Sequence, residues 1–306
     1  MSPKSKSSFR SIRPRPLTPD SRKPSTLLQL GSYALDLSRE PRIMGILNVT
    51  PDSFSDGGSF VDPALAEEHA LRLESEGAAL LDIGAESSRP GSESIPAEEE
   101  WRRLEPVLKR VLARIKIPVS IDTYKAEIME RALGLGVSMI NDITALSYDP
   151  RSAPVIAKAG AAVVLMHMRG TPQTMQDNVM YADLIREIGD ALTEAVRRAR
   201  DAGILRDRIV VDPGIGFGKS VEGNCEILRR LDELKARLPY PLLIGLSRKS
   251  FLRRILNRDV RELSIAHAVA HTVAVQKGAA LLRVHDVRET QETLRIFRGL
   301  NGYAHR

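Results

Sequence analysis

From about residue 31 the chain alternates short apolar runs with longer amphipathic stretches. Eight runs stand out: Ile43–Leu47, Ala79–Ile83, Val119–Ile121, Val137–Ile140, Ala161–Met166, Ile209–Val211, Leu242–Leu246 and Ala280–Val284. Many are rich in Val, Ile and Leu, and none alternates cleanly with polar residues, which is the pattern of strands buried on both faces. The stretches between them carry helix signals. Asp62-Pro63 places a cap residue and a first-turn proline ahead of a helix over Ala64–Glu76, and Gly77 follows its end. Glu98–Arg114 and Tyr181–Ala202 have apolar residues at helical spacing, with Pro106 predicted to kink or break the former. A weaker helix at about Pro154–Ala159, then Ser264–Lys277 and Glu289–Arg298, complete the set. Eight strand–helix repeats predict an α/β fold, a (β/α)8 TIM barrel; an open doubly wound sheet has the same alternation and is the second choice.

Composition adds the domain plan. With 306 residues, 42% of them hydrophobic, there is ample material for a core. No shift in composition marks a second domain, and α/β barrels routinely run to about 200–250 residues as one unit. The net charge of +6 invites a nucleic-acid partner, but its location argues against one. Residues 1–30 hold Lys4, Lys6, Arg10, Arg13, Arg15, Arg22 and Lys23 against Asp20 alone, so the remainder is balanced. That segment is also rich in proline and serine, and it cannot bury enough apolar surface to offset its ordering entropy. It reads as a disordered basic extension, 1–30, ahead of a barrel at 31–306; an organelle transit peptide is the alternative, disfavoured by the prolines. There is no secretory core region and no apolar run long enough to span a bilayer, so no membrane partner is expected. Cys225 is the only cysteine, which excludes an intrachain disulfide and fits a reducing, cytoplasmic compartment.

In a barrel, catalytic groups project from the C-terminal ends of the strands. Here those ends read Asn48, Asp82, Asp122, Asn141-Asp142, His167, Asp212, Ser247-Arg248-Lys249, and Arg283 with His285-Asp286. Any one alone reads first as a cap or a satisfied structural group. All eight being polar points to a single pocket. Asp122, Asn141 and Asp212 offer acceptors and an amide suited to a planar edge with adjacent N–H groups, and Lys249 offers a donor to a ring carbonyl or nitrogen. Asn48, Arg89, Arg283 and His285 form a basic half suited to phosphate oxygens, although Arg283 alone would equally pair with an acid such as Asp82. A heterocycle with a phosphate-type tail is the implied ligand. Two small-residue segments, Pro51–Gly58 and Ala85–Gly91, read as mobile loops. Asp212-Pro-Gly-Ile-Gly-Phe-Gly-Lys219 is glycine-rich but has neither Walker nor dinucleotide spacing. Its Phe217 either stacks on an aromatic ligand or packs inward.

Taken together, Asn48-Val-Thr-Pro-Asp-Ser-Phe-Ser-Asp-Gly-Gly58, Ile140-Asn-Asp-Ile143, Leu165-Met-His-Met168, Asp212–Lys219, Ser247-Arg-Lys-Ser250 and Arg283-Val-His-Asp286 resemble the dihydropteroate synthase family of pterin-binding enzymes. The resemblance covers about residues 31–300. It implies that Asp122, Asn141, Asp212 and Lys249 hold a pterin with Met166 on its face, and that Asn48 contacts a Mg²⁺ bound to a diphosphate. Arg283 and His285 would bind the diphosphate, with Arg89 nearby. Phe54, Ser88, Pro90, Phe217 and Ser247 would line a p-aminobenzoate site, and Asp56 would help order the first loop. A homodimer is also implied, as is an enzyme class targeted by sulfonamides, which mimic p-aminobenzoate. The second loop departs from the family's Gly-Gly-Glu-Ser-Thr-Arg-Pro: here it is Gly84-Ala-Glu-Ser-Ser-Arg-Pro90, which keeps a hydroxyl at Ser88.

The implied reaction joins dihydropterin-methyl diphosphate to p-aminobenzoate by a dissociative displacement, with Asp122, Asp212, Lys249, Arg89 and Asp56 as the catalytic set. Two other readings compete. A pterin-dependent methyltransferase would need no diphosphate site, so Arg283 with His285 argues against it. A non-catalytic paralogue would not be expected to keep the whole polar set.

Overall fold

A computed structural model describes residues 27–38, 40–50, 62–257 and 263–301. Strands buried on both faces form where the apolar runs predict them: β3 Arg42–Asn48, β4 Leu80–Gly84, β5 Val119–Asp122, β6 Met139–Asp142, β7 Ala162–Met166, β8 Ile209–Asp212, β9 Leu243–Gly245 and β10 Leu281–Val284. They pair in parallel, in the order β8-β7-β6-β5-β4-β3-β10-β9. A bridge between Val211 and Leu242, with the Val211 amide donating to Pro241 O at 3.0 Å, joins β8 to β9 and closes the ring. The fold is the (β/α)8 barrel, not the open sheet.

The outer layer consists of α1 Pro63–Ser75, α2 Ala97–Arg114, α3 Ala126–Gly134, α4 Ser152–Ala159, α5 Leu184–Asp201, α6 Val221–Arg229, α7 Leu231–Arg237, α8 Ser250–Leu256, α9 Ser264–Gln276 and α10 Val287–Leu300. Asp62 caps α1 by accepting from Ala64 N at 2.7 Å. The weak fourth helix is present as α4. Pro106, predicted to kink or break its helix, does not break it: it sits inside α2 on an exposed position. The carbonyl its missing N–H would have served, that of exposed Arg102, lies where water can satisfy it.

The interior of the barrel explains a second correction. Leu27–Leu30, placed by composition in the extension, form β1, paired antiparallel with β2 (Tyr33–Asp36). Leu28 and Leu30 are fully buried, in one cluster with Met44, Leu80, Met139, Val164, Val210, Leu243 and Leu281. These strand residues point inward, so the hairpin caps the barrel's core on the side away from the polar strand ends. Each buried leucine contributes about 2 kcal/mol of apolar burial. With that side filled, a ligand pocket is left at the C-terminal ends of the strands.

Candidate active site

Register brings the predicted acceptors together. Gly84 pairs with Asp122, Asp122 with Asn141, and Met166 with Asp212. Asp122 and Asn141 stand next to each other at the rim, and Gly84 lets Asp122 approach closely, since a Cβ there would lie 3.3 Å from Asp122 Cβ. Asn141 Nδ2 donates to Asp82 Oδ2 at 2.9 Å, which turns its carbonyl oxygen toward the cleft as an acceptor. The same Asp82 oxygen accepts from Arg283 Nε at 2.6 Å, while Arg283 Nη2 donates to Asp122 Oδ2 at 2.7 Å. The ion pair with Asp82 is the structural alternative for Arg283 realised, with Asp122 as a second partner. The guanidinium thus faces the carboxylates and is neutralised by them. Burial pushes Asp122 up to about 7; Arg283 opposes the rise, and Asp82 and Glu100 add to it.

Across the barrel, Asp212 Oδ1 accepts from Gly214 N at 2.7 Å, and burial raises Asp212 to about 6. Lys249 reaches the same cleft from the end of β9. Its Nζ lies 4.0 Å from the centroid of the Phe217 ring, and burial with Arg283 nearby lowers it to about 8. The glycine-rich loop makes this approach possible. Gly216 has φ +84°, and a Cβ there would stand 3.0 Å from Lys249 Cδ. Phe217 is not an exposed platform. It is 8% exposed and packs inward with Ile143, Met166 and Met175, its ring under the lysine.

Lys219 closes the glycine-rich loop, and its identity in the sequence says nothing of its partners. It is buried, and its Nζ reaches Phe217 O at 2.8 Å, His167 O at 3.2 Å and His167 Nδ1 at 2.9 Å. Burial lowers Lys219 to about 7, and His167, buried beside it, falls to about 3. A neutral imidazole accepting from the ammonium fits both directions. The pair fastens the loop to the end of β7, so its role is to hold Phe217 in place.

The basic half is looser. Ser247, expected in the p-aminobenzoate site, turns its hydroxyl to His285: Oγ accepts from His285 N at 3.2 Å and lies 3.0 Å from Nδ1. Burial, then Arg248 and Arg283, lower His285 to about 2. It is therefore a neutral hydrogen-bond donor through Nε2 if Ser247 donates to Nδ1. Asn48 is half-buried at the end of β3, and Arg89 and Pro90 are exposed on the second loop. That loop is tied to the segment after β7 by Gly91 N donating to Pro172 O at 2.9 Å. Phe54 and Asp56 lie outside the described residues.

The cleft is walled by Ser88, Asp122, Asn141, Ile143, Met166, Asp212, Phe217, Lys249 and Arg283, with Ile215 and Gly245. All the residues predicted for a pterin are in this wall, with Ser88 and Phe217 of the other set. Asn48, Arg89, Pro90, Ser247 and His285 are not. The principal residue missing from the predicted site is Asp82, the buried hub joining Asn141 to Arg283.

Known proteins share this sequence pattern and fold. Residues 44–285 match the family model described as pterin binding enzyme. A dihydropteroate synthase from Synechocystis is 42% identical over 270 residues, covering 88% of this chain and 93% of the relative. A Xanthomonas albilineans dihydropteroate synthase solved with 4-aminobenzoic acid superposes with TM-score 0.84 at 43% identity, covering 90% of this chain and 98% of that one. The same organism's enzyme in complex with 7,8-dihydropteroate gives TM-score 0.80 at 40% identity, with coverage of 90% and 98%. The barrel, its polar strand ends and these relatives lead to one conclusion: the chain belongs to the pterin-binding enzyme family and, within it, to the dihydropteroate synthases, transferases of folate synthesis.

Proposed function

We propose that the cleft binds (7,8-dihydropterin-6-yl)methyl diphosphate and that p-aminobenzoate attacks its methylene carbon to give 7,8-dihydropteroate and diphosphate. The observation carrying this reading is the convergence of Asp122, the Asn141 carbonyl and Asp212 with the Lys249 ammonium around one recess. A pterin edge presents adjacent N–H groups to the first three and a ring carbonyl or nitrogen to the fourth. Met166 and the Arg283 guanidinium border the ring. Relatives solved with 4-aminobenzoic acid and with 7,8-dihydropteroate support the second substrate and the product of this reaction.

The proposed displacement is dissociative. The carbon–oxygen bond to diphosphate breaks first, leaving a methylene cation conjugated to the electron-rich ring. The neutral amine nitrogen then bonds to that carbon and loses its proton to solvent, so no dedicated base is needed. Carboxylates at Asp122 and Asp212 favour the developing positive charge, and we assign Asp56 of the first loop to the same end. Arg283, held by Asp82, is freed from Asp122 when the pterin engages that carboxylate, and turns toward the diphosphate. His285 donates a hydrogen bond and Arg89 brings charge from the second loop. Ser88 and Pro90, with Phe54, Phe217 and Ser247, surround p-aminobenzoate in this reading, Ser247 acting through His285.

Mg²⁺ is part of the proposal. An ion that keeps its waters and takes diphosphate oxygens needs only one or two protein ligands. Asn48 is a hard-oxygen donor, half-buried at a strand end beside Gly84. When bound, Mg²⁺ would offset charge on the leaving diphosphate. Calorimetry of the pterin substrate tests the binding half. Affinity should drop without Mg²⁺ and drop again in Asn141→Ala. Affinity indifferent to both would contradict the site.

The titrations give a pH dependence. Asp122 (about 7) and Asp212 (about 6) accept from the pterin only when ionised, and Lys249 (about 8) donates most strongly when protonated. kcat/KM for the pterin substrate should therefore fall as pH drops below about 7, more steeply below about 6, and fall again above about 8. The limbs belong to the coupled set and not to single residues. A profile without the acid limb would contradict the assignment.

We also propose a homodimer. α9 is apolar nearly all round, yet Ile265 and Val269, one turn apart, are 78% and 61% exposed. Such a face is suited to a second copy. Val269→Glu should convert a sedimenting dimer to monomer, whereas a variant that still sediments as a dimer would rule out this face. Among the described residues no helix is long and apolar enough to cross a membrane. In this reading residues 1–26 take no part in the reaction, and the sole thiol, Cys225, suits a reducing cytoplasm.

A further inference from the structure

The second loop runs from the end of β4 to the start of α2 and carries Ser88, Arg89 and Pro90. Its base is held by a buried charge cluster outside the cleft. Glu86 Oε1 accepts from the Tyr124 hydroxyl at 2.5 Å, and Oε2 accepts from Lys125 Nζ and from Ile95 N, the latter at 3.2 Å. Lys125 Nζ also donates to Ile95 O at 2.6 Å and to Glu100 Oε2 at 2.7 Å. The Tyr124 oxygen, its proton given to Glu86, accepts from Ser94 Oγ at 2.7 Å. Side-chain exposures are 10% for Glu86, 9% for Lys125 and 1% for Glu100.

One lysine thus ties the outgoing end of the loop, at Glu86, to its returning end, at Ile95. Tyr124 and Lys125 follow Asp122 by two and three residues, so the turn that delivers Asp122 to the cleft also grips the loop. A buried lysine shared by two carboxylates gains little stability over apolar packing, because desolvation offsets the attraction. What it does provide is a fixed geometry: each oxygen and proton has one place to go.

We propose that Glu86, Tyr124 and Lys125 are positioning residues for p-aminobenzoate, clamping the loop base so that Ser88–Pro90 meet that substrate in one arrangement. This rests on the reading of Ser88 and Pro90 as its site. The clamp acts on the second substrate more than on the pterin: Asn141, Asp212 and Lys249 lie on other elements, and Asp122 is fixed by β5 ahead of the turn that holds Tyr124 and Lys125.

The test uses Tyr124→Phe and Lys125→Met in the full chain. KM for p-aminobenzoate should rise about threefold in the first and about tenfold in the second, as expected for losing one and several hydrogen bonds to a charged group. The Kd for the pterin substrate should stay within about twofold in Tyr124→Phe, and in Lys125→Met it should change less than KM for p-aminobenzoate does. Amides of residues 87–92 should exchange faster in Lys125→Met. Tyr124→Phe removes a single oxygen and carries the test should Lys125→Met fail to fold. Ser88→Ala separates the two claims. If it leaves KM for p-aminobenzoate unchanged, the loop is not that substrate's site. If it raises KM while both clamp variants leave it unchanged, the clamp is overturned. A parallel loss of both substrates with a lower melting temperature would equally overturn it, since a general structural role would do that.

Discussion

Asp122→Ala is expected to lower kcat/KM for the pterin substrate by about a thousandfold, the equivalent of about 4 kcal/mol. Two losses combine. The ring edge loses a carboxylate acceptor where charge develops in the displacement, and Arg283 keeps only Asp82 of its two partners. Asp122→Asn should do nearly as badly despite its matching shape, because it removes the charge and can set an amide N–H against Arg283 Nη2. Steady-state kinetics on both variants measure this, with urea unfolding to show that the barrel persists. Asp122 is lifted toward neutrality by its burial, so its removal should cost far less stability than activity. An Asp122→Ala enzyme with turnover close to the parent would remove Asp122 from the site.

Gly214→Ala should be comparably damaging by a different route. Gly214 has φ +68°, and a Cβ there would fall 1.9 Å from the backbone oxygen of His167. That contact is with main chain, which cannot swing aside, so the loop after β8 must move as a body. The move breaks the hydrogen bond from Gly214 N to Asp212 and pulls Phe217 from under Lys249. We expect a loss of at least about 3 kcal/mol in unfolding free energy and at least about a hundredfold in kcat/KM. Gly216→Ala is the informative comparison, since its Cβ would meet the flexible Lys249 chain and not a backbone. It should lose less stability and mainly weaken pterin binding. Equal, mild effects at both positions would show that the loop is not built as described.

How much of this was legible beforehand depends on how local the cause is. The eight barrel strands announced themselves because a strand buried on both faces must be continuously apolar, and the observed bounds agree to within two residues. The β1 hairpin did not, because four residues of mostly leucine beside a basic, proline-rich segment read as part of that segment. Their burial depends on a barrel interior assembled from distant strands. Pro106 does not break its helix, for a related reason: whether a helix runs on through a proline depends on whether the carbonyl one turn back reaches water. In the site, residue identity and position at strand ends were enough to gather Asp122, Asn141, Asp212 and Lys249. Orientation was not. Nothing in the spacing of Ser247 and His285, 38 residues apart, says that one hydroxyl serves the other's ring. Nor does it say that Asp82 holds both Asn141 and Arg283. The Glu86–Lys125 clamp joins two adjacent strand-end loops, a contact that only barrel order creates.

The most direct test is the release of diphosphate by the purified full chain given dihydropterin-methyl diphosphate, Mg²⁺ and p-aminobenzoate, with each omitted in turn. The account predicts release at full rate only when all three are present, with 7,8-dihydropteroate formed in equal amount. Tight binding of the pterin substrate with no release under any combination would contradict it and mark the cleft as a binding site without the transfer reaction.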